Sequence, residues 1–288
     1  MNATTTSPVI ILGAPRSGTN MLRDVLTSLP QFGTWPCDEI NYIWRHGNVR
    51  YPSDELPAEL ATPTVRRFVR SRFAAIQRSL RADVVVEKTC ANCLRVPFVE
   101  SVLDKPRYVN IERDGLDAAG SARLRWSAPI EIRYLLRKAR YVPPSDLPYH
   151  FGRFVSNRWH QTLSGERRLA FWGPRLDDME ELLKEYTIEE VCAVQWRRCV
   201  EGVRRGLAMI PKERVFHVRY EEFVHAPVKE LNRIVQFLGQ ECDARVLADA
   251  TAGVSARSIG KGASTFGEEE CRRVRALLGK ERTAVADE

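Results

Sequence analysis

The 288-residue chain is 44% hydrophobic and 28% charged, the balance of a globular protein with a full core. No run reaches eighteen apolar residues and no basic, apolar leader opens the chain, so no integral membrane segment and a cytoplasmic location are expected. The net charge of +7 suits an anionic ligand; it is not gathered in a tail and no nucleic-acid module accompanies it, which sets nucleic acid aside as a partner.

The first element is Val9–Leu12, an apolar, β-branched run that reads as a buried strand. It leads into Gly13-Ala14-Pro15-Arg16-Ser17-Gly18-Thr19-Asn20 and then a helical pattern over Thr19–Leu29. Strand, tight turn and helix start aim backbone N–H groups at one spot, which suits a phosphate. Two glycines separated by four residues are the spacing of a nucleoside-triphosphate P-loop. With 17 glycines that spacing arises by chance about once in such a chain, so the strand before and the helix after carry the weight. Thr19-Asn20 stands where a P-loop has Lys-Ser/Thr, which removes the lysine for the β/γ-phosphates and the usual Mg²⁺ hydroxyl. Arg16, inside the loop, is the cation instead. The turn is built for a phosphate without ATP–Mg²⁺ chemistry.

A helix over Thr64–Leu80 follows a proline, and its Arg66, Arg67, Arg70 and Arg72 read as a solvated face. Then come a strand at Val84–Val86, a helix at Phe98–Leu103, a strand at Tyr108–Ile111 and a helix at Leu116–Arg125. Cys90 and Cys93 have the C-x-x-C spacing of a redox or metal pair. With seven cysteines in all, no second such pair and five scattered histidines, they read as buried, reduced thiols with no metal. Ser127–Arg175, rich in proline and aromatics, breaks the rhythm. It is expected to be an insertion over about residues 127–178 that forms a lid or acceptor pocket, a helical packing decoration being the alternative. Helices at Ile188–Met209, Pro227–Leu238 and Glu268–Leu278 and a strand at Val215–Val218 complete the pattern. Short β-rich runs alternating with amphipathic helices predict one α/β domain over 1–288: three layers, with a central parallel sheet covered by helices in a P-loop-like nucleotide-binding fold.

In such a sheet the ligand crevice lies off the carboxyl ends of the strands. Each strand end presents a cation: Arg16, Lys88 of Glu87-Lys88-Thr89, Arg113 of Glu112-Arg113-Asp114, and Arg219 of Arg219-Tyr220. Four cations converging on one crevice are costly unless an anion lies there.

These residues carry a resemblance. Gly13–Thr19 resembles the 5′-phosphosulfate loop of the PAPS-dependent sulfotransferases, and Arg113 with Ser121 is similar to that family's 3′-phosphate element. Val218-Arg219-Tyr220-Glu221-Glu222-Phe223, with the helix after it, is a third match; Gly260-Lys261-Gly262 resembles the loop that closes over the nucleotide, although an expected arginine is replaced by Gly260. The resemblance implies PAPS as donor and PAP as product. Arg16 and the Ser17, Gly18, Thr19 and Asn20 backbone would hold the 5′ group. Arg113 and Ser121 would hold the 3′-phosphate, and Arg219, Tyr220, Lys261 and Gly262 would add contacts. No metal is required by the family's example.

Attack by an acceptor hydroxyl is helped by a base and by a cation near the bridging oxygen. The family often places a glutamate about twenty residues beyond the loop, which makes Glu39 the first candidate base. Asp38 and Glu87 stay open as alternatives, with a helix N-cap as the structural role for Asp38. Lys88 is the resemblance's candidate for the leaving-group oxygen, and with Glu39 and Arg16 it makes up the implied catalytic set. No histidine follows Lys88-Thr89, unlike the branch that sulfates small phenols and steroids. A carbohydrate, glycolipid or natural-product hydroxyl is therefore the expected acceptor. Tyr42, Trp44, Trp126 and Trp159 could stack on it or belong to the core. The competing functions are a degenerate P-loop nucleotide kinase and a non-catalytic nucleotide- or glycan-binding module. Oligomeric state has no signal in the sequence.

Overall fold

The computed structural model describes residues 7–126, 139–163, 169 and 171–279. Five parallel strands, β1 (Val9–Leu12), β2 (Phe32–Gly33), β3 (Val84–Lys88), β4 (Arg107–Glu112) and β5 (Val215–Arg219), form one sheet in the order β2-β3-β1-β4-β5. The chain fills one side of β1 with β3 and β2 and then crosses to β4 and β5. The carboxyl end of β1 is therefore the point where successive connections diverge, which is where open α/β sheets place a ligand.

Alternation along β1 splits the core into two layers. Ile10 and Leu12 pack with Val69 and Phe73 of α3 (Pro63–Leu80), Val99 of α4 (Val96–Val102), Ala119 of α5 (Gly115–Trp126) and Cys199 of α8 (Ile188–Leu207). Val9 and Ile11 pack with Leu22 and Leu26 of α1 (Thr19–Thr27), Ile234 of α10 (Pro227–Phe237) and Leu247 of α11 (Ala244–Thr251). All four β1 side chains are buried, each contributing about 1.5–3 kcal/mol. The expected three-layer parallel architecture is observed.

Local chemistry sets several boundaries. The Thr62 hydroxyl caps α3 by accepting from Val65 N at 3.4 Å, with Pro63 in the first turn. A Thr187–Glu190 capping box opens α8. α13 (Glu268–Leu278) has the bounds expected from its pattern. Arg66, Arg67, Arg70 and Arg72 lie exposed on α3, the solvated face expected of them.

Other elements were not legible. β2 has two residues and α2 (Asn41–Trp44) four, too few for a period to show. α9 (Tyr220–His225) and α12 (Lys261–Thr265) are nearly as short. The expected insertion contributes α6 (Leu147–Leu163), and α7 (Met179–Glu185) follows it. Its residues 127–138, 164–168 and 170 lie outside the described residues. Arg175 ties its far end to the body, exchanging bonds of 2.8 and 2.9 Å with Asp54. Trp44 and Trp126 are buried in the core and Tyr42 nearly so, whereas Trp159 is 65% exposed.

Candidate functional site

The loop after β1 takes its shape from two left-handed residues, Arg16 (φ 70°) and Gly18 (φ 87°), with Ser17 N donating to Ala14 O at 3.1 Å. Gly18 has a second reason to be glycine: a Cβ there would lie 2.4 Å from the Tyr220 ring. Gly13 N donates to Cys93 Sγ at 3.2 Å; Cys90 and Cys93 are both free, buried thiols. Ser17 Oγ is buried and finds no partner among the described residues. Burial, then the nearby charges of Arg125 and Arg113, lower the Arg16 pKa, so cations are gathered here as the strand ends predicted. An anion would relieve that repulsion.

The Arg16 Nε donates to Ser121 Oγ at 2.9 Å, which joins the two elements assigned to different phosphates. Arg113 is equally tied in. Its guanidinium donates to Arg16 O at 3.0 Å and Ser258 O at 2.6 Å and lies over the Tyr220 ring, 4.6 Å from the centroid. Its Nε, also buried, has no partner among the described residues. Asp117, 3.6 Å from Arg113, accepts from Gly260 N at 2.8 Å and Gly262 N at 2.5 Å. The carboxylate thus pairs with Arg113 across the first turn of α5 and also seats the 258–262 loop. Gly262 lies so close to α5 that a Cβ would stand 2.4 Å from the Leu116 carbonyl. Lys261 is exposed beside it.

Arg219 is not drawn in. Its side chain is 58% exposed and lies 3.8 Å from Glu221. β5 lies at the sheet edge, so the last residue of that strand faces solvent. Of the four strand-end cations Lys88 and Arg113 are buried, Arg16 is partly buried, and Arg219 is exposed.

The three carboxylates that spacing left open are separated by their contacts. Glu39 Oε1 lies 2.9 Å from Lys88 Nζ and accepts from Cys90 N at 3.3 Å. Burial works against the Lys88 charge, but Glu39 outweighs it and the Lys88 pKa is raised. Thr19 Oγ1, 3.8 Å from Cys90 Sγ, places this pair beside the phosphate loop. Asp38 lies 3.6 Å from Arg23 and is half exposed; it caps no helix, since the N-cap of α2 is Ile40 and no side chain caps it. Glu87 is buried, accepting from Thr89 Oγ1 at 2.5 Å and Asn92 Nδ2 at 2.8 Å, and burial pushes its pKa up to about 7.

Beneath Glu39 runs a buried polar network that sequence reasoning missed. Asn92 Oδ1 accepts from Arg95 Nε at 2.9 Å, Arg95 donates to Asn41 Oδ1 at 2.6 Å, and Asn41 donates to Asp54 at 3.1 Å. Arg45 completes it, 3.0 Å from Asp54. Burial disfavours the Asp54 charge, yet Arg95 and Arg45 hold its pKa below the usual value. The charged residues sit in otherwise apolar or loop segments, so no period announces them. An open cavity of about 440 Å³ lies nearby, lined by His46, Tyr51 and Asp146 among others, with His46 Nδ1 2.7 Å from Asp146 Oδ2.

The sequence matches the model of the sulfotransferase family over residues 8–135 and 160–244. The chain belongs to this family. It is an enzyme of sulfate transfer, and the nucleotide-kinase reading falls away. The sulfotransferase shares its fold with the sulfotransferase domain from the curacin biosynthetic pathway, at 16% identity and TM-score 0.52 over 94% of this chain and 97% of that one. It also resembles sulfotransferase STF9 from Mycobacterium avium, at 16% identity and TM-score 0.51 over 86% of this chain and 67% of that one. Mouse sulfotransferase SULT7A1, solved in complex with PAP, is similar at 12% identity and TM-score 0.50 over 94% of this chain and 83% of that one. No curated protein gives a significant match. Among the described residues no helix is long and apolar enough to cross a membrane, and no three His, Cys, Asp or Glu side chains gather as a metal site.

Proposed function

We propose that this sulfotransferase uses PAPS as its donor and transfers the sulfuryl group to a hydroxyl of a carbohydrate, glycolipid or natural-product acceptor. The observation that carries this reading is the Glu39–Lys88 pair, 2.9 Å apart beside the phosphate loop. Two buried donors without partners among the described residues, Ser17 Oγ and Arg113 Nε, fit an anionic ligand off the same end of the sheet. The donor would supply the activated sulfuryl group, its 5′ end held by Arg16 and the loop amides and its 3′-phosphate by Arg113 and Ser121. Tyr220, Lys261 and Gly262 would border the nucleotide.

Glu39 and Lys88 neutralise each other in this structure. Lys88, turned to the bridging oxygen where charge develops, would release Glu39 Oε1 to take the acceptor's proton. The insertion and the segment 35–50 would border the acceptor, with the cavity at His46 and Asp146 as an approach.

Calorimetric titration with PAP and with ATP, each with and without Mg²⁺, tests the donor. Metal-independent binding that prefers PAP is expected; absence of PAP binding overturns the reading. Sulfate transfer to a panel of sugars, glycolipids and phenols then identifies the acceptor class.

A further inference from the structure

Glu39 stands between β2 and α2, in a stretch with neither strand nor helix hydrogen bonds. Proton abstraction tolerates little misplacement of the base, so something other than regular structure has to hold this residue. The backbone groups on either side of Glu39 are each bound by a buried side chain. The Asp38 carbonyl accepts from Arg23 Nη1 at 3.0 Å, and the Ile40 N–H donates to Thr89 Oγ1 at 3.2 Å. Thr89 is fully buried, out of reach of any substrate. Its hydroxyl donates to Glu87 Oε1, which leaves a lone pair facing the Ile40 N–H. Glu87 is fixed in turn by Asn92, and the network continues through Arg95 to Asn41, one residue beyond Ile40. Three consecutive residues thus fix the position of one glutamate: Lys88 Nζ and Cys90 N hold its carboxylate while Thr89 holds the N–H of the next residue, Ile40.

We propose that Thr89, oriented by Glu87, is a positioning residue that sets Glu39 against Lys88, with Arg23 as the second clamp on the same turn. The proposal rests on Glu39 being the base.

The test compares Thr89→Val, which keeps the shape and removes the hydroxyl, with Thr89→Ser, which keeps the hydroxyl, and measures turnover, acceptor KM and PAP affinity. Thr89→Val is expected to lower kcat by about 10- to 100-fold with PAP affinity unchanged, and Thr89→Ser to recover most of it. Added to Glu39→Gln, Thr89→Val should cost almost nothing more, because the group it positions is already gone. Unchanged kcat in Thr89→Val, or a loss that multiplies in full with that of Glu39→Gln, overturns the proposal. If Thr89→Val does not fold, Arg23→Gln is read by the same criteria at the other clamp. Full turnover in Glu39→Gln overturns the base assignment and this proposal with it. Lost turnover in Glu39→Gln beside normal Thr89→Val removes the clamp alone.

Discussion

Arg16 Nε donates to Ser121 Oγ at 2.9 Å, so the loop assigned to the 5′-phosphosulfate and the helix assigned to the 3′-phosphate are hydrogen-bonded to each other. One contact makes the two anion sites a single unit. Arg16→Ala is expected to weaken PAP binding by at least about 100-fold, and Ser121→Ala by about 10-fold, the cost of one hydrogen bond to a charged group. Calorimetry with PAP checks both. Wild-type affinity in Ser121→Ala would show that its hydroxyl neither touches the nucleotide nor orders Arg16.

Arg113 and Asp117 hold the 258–262 loop, Arg113 through Ser258 O and Asp117 through Gly260 N and Gly262 N. Loss of Arg113 therefore disturbs the fold as well as the nucleotide site. Asp117→Asn places a donor opposite two N–H groups. Faster hydrogen exchange over 258–262, a lower melting temperature and PAP affinity reduced by about 10-fold are expected. Unaltered exchange in that segment would remove Asp117 as its anchor.

Glu39→Gln keeps the side chain's shape but cannot take a proton. Turnover is expected to fall by about 10²- to 10⁴-fold with PAP affinity within about twofold of wild type. Lys88→Ala is expected to lose about 10²- to 10³-fold in kcat. Single-turnover transfer assays measure both. Undiminished turnover in Glu39→Gln would pass the base role to another carboxylate.

Burial raises Glu87 from an ordinary value of 4.5 to about 7. The folded protein binds this proton more tightly than the unfolded chain, so the stability Glu87 contributes is fully present below pH 4.5 and is lost as pH rises through 7. Glu87→Gln cannot titrate. The melting temperature of wild type relative to this variant is expected to fall between pH 5 and 8, which a series of thermal melts would show. A constant difference across that range would mean that Glu87 titrates normally.

Much of the fold was legible because it is local. β1, β3, β4 and β5 are strands of four to six residues, each holding a short β-branched or aromatic stretch, and α13 carries its own period. β2 and α2 were not, since two and four residues bury themselves only against neighbours already in place. The phosphate loop could be read in the same way as the strands, from a strand, two glycines and a helix start in immediate succession.

The sequence by itself determined the sheet's chemistry: a phosphate turn on a buried strand and cations at the strand ends, all set by neighbours in the chain. Only the tertiary structure decided which of them meet. Glu39 lies 49 residues from Lys88, and Asp38, one position away, points to Arg23 instead. Arg219 has the spacing of a site residue, yet the sheet edge leaves it in solvent. Spacing specifies contacts within a helix or a turn. Contacts between a loop and a strand end depend on how the layers pack, and no period in the chain records that.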